Sequence, residues 1–188
     1  MAAVLNSNEL KIGAVFVDDG QSFVVLKYQH IKKGRGQATI RVKVRNIENG
    51  AITEKTYSNE EKVQAADVEK RTSQYLYADD NRVYFMDNAD YSQFDLDKEQ
   101  LEWEMNFLHE GDSVVTLFLN GSAVSIEIPK SAELTIVETS PAVAGNTATN
   151  ATKEATADTG YKMQVPLFIE AGQLIKVNTE MGTYVSRG

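Results

Sequence analysis

The chain has 188 residues, a formal net charge of −8 and 42% hydrophobic residues, enough to build one large core or two to three small ones. It contains no cysteine, which excludes structural disulfides and thiolate metal sites and fits a reducing compartment. Residues 1–9 lack the basic segment and apolar core of a secretory leader, and no apolar run is long enough to cross a bilayer, so a cytoplasmic protein without membrane association is expected.

The first strand-like run is Ala14-Val15-Phe16-Val17. Two more follow, Ser22 to Tyr28 and Thr39 to Arg45, joined by Lys32-Lys33-Gly34-Arg35-Gly36, and they read as a hairpin. Thr39 to Arg45 alternates polar and apolar with period two, which puts Arg41, Lys43 and Arg45 on one face. Between Asp19 and Glu48 there is no carboxylate but seven cations: Lys27, Lys32, Lys33, Arg35, Arg41, Lys43 and Arg45. Gly34 and Gly36 tolerate the positive φ angles that push Arg35 outward. A guanidinium stays charged, pairs with phosphate and stacks on a base. Lys32, Lys33, Gly34, Arg35, Gly36, Arg41, Lys43 and Arg45 are therefore the candidate RNA-binding residues, with Arg35 outermost. A solvated glycine-rich turn would use the same residues, and the one-sided charge of the adjoining strand brings the two readings level. His30 stands at the base of the tip loop, where it could also meet RNA.

Ala51 to Tyr57, Ser73 to Tyr77 and Val83 to Met86 continue the strands, and Asn59 to Asp67 separates the first set from the next. Asp79-Asp80-Asn81 marks a turn. Tyr75, Tyr77, Tyr84, Phe85 and Phe118 lie mostly in patterns that suit barrel interiors. Asp97 followed by Gln100 resembles a capping box, with Leu101, Met105 and Leu108 on one face before Gly111, so one short helix is expected there. Trp103 and Phe107 lie off that line and are read as core or barrel-capping groups. Ser113 to Leu119 and Ala123 to Ile128 flank Asn120-Gly121, a strong two-residue hairpin turn. Glu133 to Val137 follows Pro129, and Ser140 to Thr159, rich in Ala, Thr and Asn, reads alone as a flexible linker. Short strands at near-regular spacing predict an all-β chain of three small barrels, at 1–65, 66–128 and 129–188. The first holds ten Lys/Arg against seven Asp/Glu, the second four against fourteen, the third five against six. An acidic protein with one basic end can still bind RNA, the acidic middle orienting it by repulsion.

No catalytic set assembles. His30 and His109 are far apart with no cysteine to pair with, and both are read as structural before catalytic. Asp18-Asp19, Glu60-Glu61 and Asp79-Asp80 lack a second ligand cluster, so no metal site is expected, and no phosphate-binding loop is present.

A more specific pattern lies near the C-terminus. Lys153-Glu154-Ala155, Gly160, Met163, Val165-Pro166, Ile169 and Gly172, with Pro141 to Ala148 before them and Leu174 to Thr179 and Gly182-Thr183-Tyr184 after, resemble the C-terminal signature of bacterial translation elongation factor P. Tyr75-Leu76-Tyr77, Tyr84-Phe85-Met86 and the basic hairpin extend the resemblance over essentially the whole chain. It implies an N-terminal SH3/KOW-like barrel followed by two OB-fold barrels in an L shape similar to tRNA. It also implies a monomeric, non-enzymatic factor without cofactor, bound to the 70S ribosome between the P and E sites. There it would contact peptidyl-tRNA and ribosomal RNA and relieve stalling at consecutive prolines. The alternatives are a paralogue with other stall targets and a generic OB-fold nucleic-acid module.

The tip departs from the family pattern. Many members read K-P-G-K-G there and extend the second lysine with a β-lysyl-type group, whereas this chain has Lys33 at the proline position and Arg35 at the modified one. Other members carry arginine at this place and receive rhamnose from a modifying enzyme, in flanking contexts that commonly differ from Gly34 and Gly36. Rhamnosylation of Arg35 is left open on these grounds. Lys32 and Lys33 read as phosphate contacts. Glu154 stands where proline is frequent, which bears on loop stiffness.

Overall fold

Two-residue turns set the framework. Asp19 and Gly20 at φ 49° and 74°, and Asn120 and Gly121 at 51° and 81°, take the left-handed conformations that match hairpin twist. In a computed structural model the structure describes residues 3–32, 38–141 and 151–188. Lys33, Gly34, Arg35 and Gly36 lie outside the described residues, as does 142–150.

The fold is all-β. The first sheet comprises β1 (Val4–Asn6), β2 (Val15–Asp18), β3 (Gln21–Ile31), β4 (Thr39–Asn46), β5 (Ile52–Ser58) and β6 (Lys62–Ala65), ordered β1-β6-β2-β3-β4-β5. The second comprises β7 (Glu69–Ala78), β8 (Arg82–Asp87), β9 (Gln93–Asp97), β10 (Ser113–Leu119) and β11 (Ser122–Glu127), ordered β11-β10-β7-β8-β9. The third comprises β12 (Ser131–Thr139), β13 (Thr152–Ala157), β14 (Lys162–Pro166), β15 (Leu174–Asn178) and β16 (Thr183–Arg187), ordered β14-β13-β12-β15-β16. Met1–Leu101 with Gly111–Glu127 forms one compact unit, and Glu102–Glu110 with Ile128–Gly188 the other.

Each sheet curls over its own apolar face. Phe16, Ile40, Val42, Val44 and Leu10 are fully buried under the first, with Phe23 stacked on Phe16 at 5.7 Å. Burying such a side chain is worth roughly 1.5–3 kcal/mol, so these few positions hold the hairpin's base. An aromatic chain fills the second: Tyr75 meets Phe85, Phe85 stacks on Phe94, and Phe94 meets Phe118 edge-on at 5.3 Å. Leu134, Ile136, Val165, Ile169, Ile175 and Val177 form the third core. Val15, Val24, Leu117 and Val124 add an apolar seam joining the first two sheets, and beside it Ser125 Oγ donates to the Gly13 carbonyl at 3.0 Å.

Several expectations need correction. The helix after Asp97 does not form: Asp97 ends β9, turns occupy 98–103, and only Glu104–Phe107 winds, as a 3-10 turn. The capping chemistry is spent elsewhere, because the Asp97 carboxylate accepts from Arg45 and Arg82 while the Gln100 amide donates to the Val124 carbonyl. Of the expected Leu101-Met105-Leu108 line, Leu101 and Leu108 are buried and Met105 is half-buried, but Leu101 belongs to the first unit and Leu108 to the second. Trp103 and Phe107 do pack into the core of the second unit. The segment expected as a linker contains β13, and the expected separator contains β6. Of the five aromatics, Tyr75, Phe85 and Phe118 are interior, as expected of most of them, while Tyr77 and Tyr84 stack on each other at 4.6 Å with Tyr77 48% exposed.

Candidate nucleic-acid interface

β4 follows the predicted alternation. Ile40, Val42 and Val44 are buried, while Arg41 is exposed and Lys43 and Arg45 are partly exposed on the opposite face. Antiparallel pairing adds neighbours to that face in rows, since directly opposed residues point the same way. Lys43 lies between Lys27 of β3 and Glu54 of β5, and Arg41 lies between Gln29 and Thr56. The next row toward the tip is Ile31, Thr39 and Ser58.

Among the described residues, Lys27, Lys32, Arg41 and Lys43 make no ion pair or side-chain hydrogen bond. These four cations, unpaired among the described residues and three of them on one sheet face, leave a positive field that solvent counterions must fill. Glu54 is the single carboxylate in those rows. His30 is exposed and pairs across the ladder with Ile40 near the same end.

Arg45 is different. Its guanidinium is ion-paired with Asp97 and donates from Nη1 to Gln100 Oε1 at 3.0 Å. Burial raises the Asp97 carboxyl, but the Arg45 and Arg82 guanidiniums outweigh that and hold it below the usual carboxylate range. Arg45 thus differs from Lys27, Arg41 and Lys43 in having protein partners among the described residues. The sequence gives no hint of this, because Arg45 and Asp97 stand on separate sheets.

Lys55 of β5 serves structure instead. Lys55 donates to Asp18 at 2.5 Å and sits over the Phe23 ring, and its hydrogen bond holds the Asp18 carboxyl down. Tyr57 donates to the same carboxylate at 2.9 Å, and burial followed by that charge pushes its phenol up. His109 Nε2 lies 3.2 Å from Asp158 Oδ2 within the second unit. Among the described residues no group of three or more His, Asp and Glu is arranged to hold a metal ion, and no helix is long and apolar enough to cross a membrane.

Comparison with known proteins covers nearly all of this chain. Residues 6–63 match the family described as elongation factor P (EF-P) KOW-like domain, 68–126 the elongation factor P (EF-P) OB domain, and 132–187 elongation factor P, C-terminal. Among solved structures, a eukaryotic translation initiation factor 5A from Methanococcus jannaschii aligns at 22% identity and a TM-score of 0.36, over 66% of this chain and 96% of its own. A translation initiation factor eif-5a family protein from Naegleria fowleri aligns at 16% identity and a TM-score of 0.36, over 68% and 99%.

Proposed function

The chain belongs to the elongation factor P family of translation factors, and from that premise we propose that it binds the ribosome beside the peptidyl-tRNA and speeds peptide transfer at consecutive prolines. The observation that carries this reading is the row of cations Lys27, Arg41 and Lys43, unpaired among the described residues and running along β3 and β4 toward the tip. Phosphate contacts from that face and from Lys32 and Lys33 would orient the first sheet on RNA, with Arg35 directed toward the aminoacyl end.

Proline is conformationally restricted, and its transfer depends on the placement of reactants. Holding two reactants in productive geometry can remove up to about 7–11 kcal/mol from a barrier, and a hundredfold rescue needs only about 2.7 kcal/mol. The ribosome then supplies the bond-making groups and the factor supplies orientation. In this reading the protein is a cytoplasmic monomer with three modules at 1–65, 66–128 and 129–188, and Arg35 is the residue that a tip-modifying enzyme would rhamnosylate.

The test is peptide transfer on a Pro-Pro-Pro template with recombinant and host-purified protein side by side. Acceleration by both supports the reading, acceleration by host-purified protein alone requires a modification, and no acceleration by either removes the reading. A paralogue role draws on the Lys33 and Arg35 departures, and profiling of translation pauses in a deletion strain separates it. A generic OB-fold module draws on exposed, stacked Tyr77 and Tyr84, but Asp79 bonded to Tyr84 and Asp95 paired with it make that surface a poor one for phosphate.

A further inference from the structure

β4 carries outward cations in sequence, and only its last one is tied down. Arg45 pairs with Asp97 at the end of β9 and donates to Gln100 in the turn that follows. Each acceptor is itself held. The second Asp97 oxygen accepts from Arg82, which also pairs with Asp95, and the Gln100 amide donates to the Val124 carbonyl. An open cavity of about 170 Å³, lined in part by Arg45, Arg82, Asp97 and Gln100, lies beside these groups. The seam of Val15, Val24, Leu117 and Val124 brings the two sheets together, but apolar burial is non-directional and tolerates rocking. A two-point guanidinium contact is directional, because its planar fork fixes both distance and angle.

We propose that Arg45, Asp97 and Gln100 form a clamp that sets the direction in which the β3–β4 hairpin leaves the second sheet, making Arg45 a positioning residue and not an RNA contact. Thr39 is six residues from Arg45 along β4, a lever of about 20 Å at the usual strand rise. Rocking by about 5° at the clamp displaces that end by about 2 Å, and misplacement by about 1 Å can cost a hundredfold where geometry sets the rate. The geometric half of this inference stands by itself, and its effect on rate rests on the function proposed above.

The experiment compares wild type with Arg45→Gln and Arg45→Lys. The chain has no cysteine, so Glu60→Cys and Asn88→Cys, both exposed and both in the first unit, can carry spin labels without background. The clamp predicts a broader label–label distance distribution for Arg45→Gln, with partial narrowing in Arg45→Lys, which keeps the charge and loses the fork. It also predicts that the rate of Pro-Pro-Pro transfer at saturating factor falls about tenfold, while the half-saturating factor concentration moves less than about twofold. An unchanged distance distribution overturns the clamp, and a broadened one with an unchanged saturating rate overturns its effect on transfer. A raised half-saturating concentration with a reduced salt slope and an intact rate makes Arg45 a phosphate contact and overturns it as well. If wild type itself does not accelerate transfer, the proposed function fails, and the distance distributions alone decide the clamp.

Discussion

The indole Nε1 of Trp103 donates to the main-chain carbonyl of Thr179 at 2.8 Å, and Thr179 Oγ1 donates in turn to the Pro129 carbonyl at 2.6 Å. The same indole meets Phe107 and Tyr161 edge-on. Trp103→Phe keeps an aromatic ring there and strips the donor from a half-buried carbonyl, which costs about 1–3 kcal/mol. Urea denaturation followed by circular dichroism measures it, since the only tryptophan is the one removed. An unchanged midpoint would show that the bond contributes nothing.

Next to it, Glu104 is buried with Oε2 lacking a partner, and desolvation pushes its carboxyl up from the ordinary 4.5 to about 7. The folded state therefore holds the proton more tightly than the unfolded chain. Its contribution is complete below pH 4.5 and is lost as pH rises through 7, a penalty on the order of 3 kcal/mol at pH 8. Glu104→Gln should stabilise the second unit above pH 7 and flatten the pH dependence between 5 and 8. Hydrogen exchange of Ile136 and Val177 at pH 5 and pH 8 reads this, and identical pH dependence in both proteins would refute it.

Gly182 sits at φ 66°, and a Cβ there would run into the Tyr161 hydroxyl and come within 3.0 Å of the Trp103 ring. Gly121 has a similar φ of 81° with open space around it. Gly182→Ala should cost well over the roughly 1 kcal/mol expected of Gly121→Ala, because strain and collision add. Equal losses in thermal denaturation would mean that Tyr161 swings aside freely.

On the cationic face, Lys27→Ala, Arg41→Ala and Lys43→Ala should each weaken ribosome binding modestly and reduce its salt slope by about 0.7–0.9. Arg35→Ala should leave folding intact and abolish rescue of a polyproline reporter. Slopes that do not move, or undiminished rescue, would sink the respective assignments.

What the sequence exposes and what it hides follow from range. The alternation of Thr39 to Arg45 and the Asn120-Gly121 turn are local, so β4, its two faces and the β10–β11 hairpin can be read directly. β13 cannot, because Thr152–Ala157 is rich in alanine and threonine and gains its strand state from pairing with β12 and β14. β6 is too short to show a period, and Gln93–Asp97 alternates but hides its apolar face behind acids. The false helix has a long-range cause. Asp97 and Gln100 look like local capping groups, and their real partners are Arg45 and Val124, distant in the chain.

The seam between the first two sheets also has a history in time. Val15 and Val24 are made early, but the Leu117 and Val124 that cover them, and the Ser125 hydroxyl that caps Gly13, come about a hundred residues later. At roughly 5–20 residues per second, the first sheet waits about 3–12 s after the end of β6 at Ala65 with a sticky flank uncovered. A chain truncated there would leave Val15 and Val24 without the Leu117 and Val124 that cover them, opening that flank to self-association.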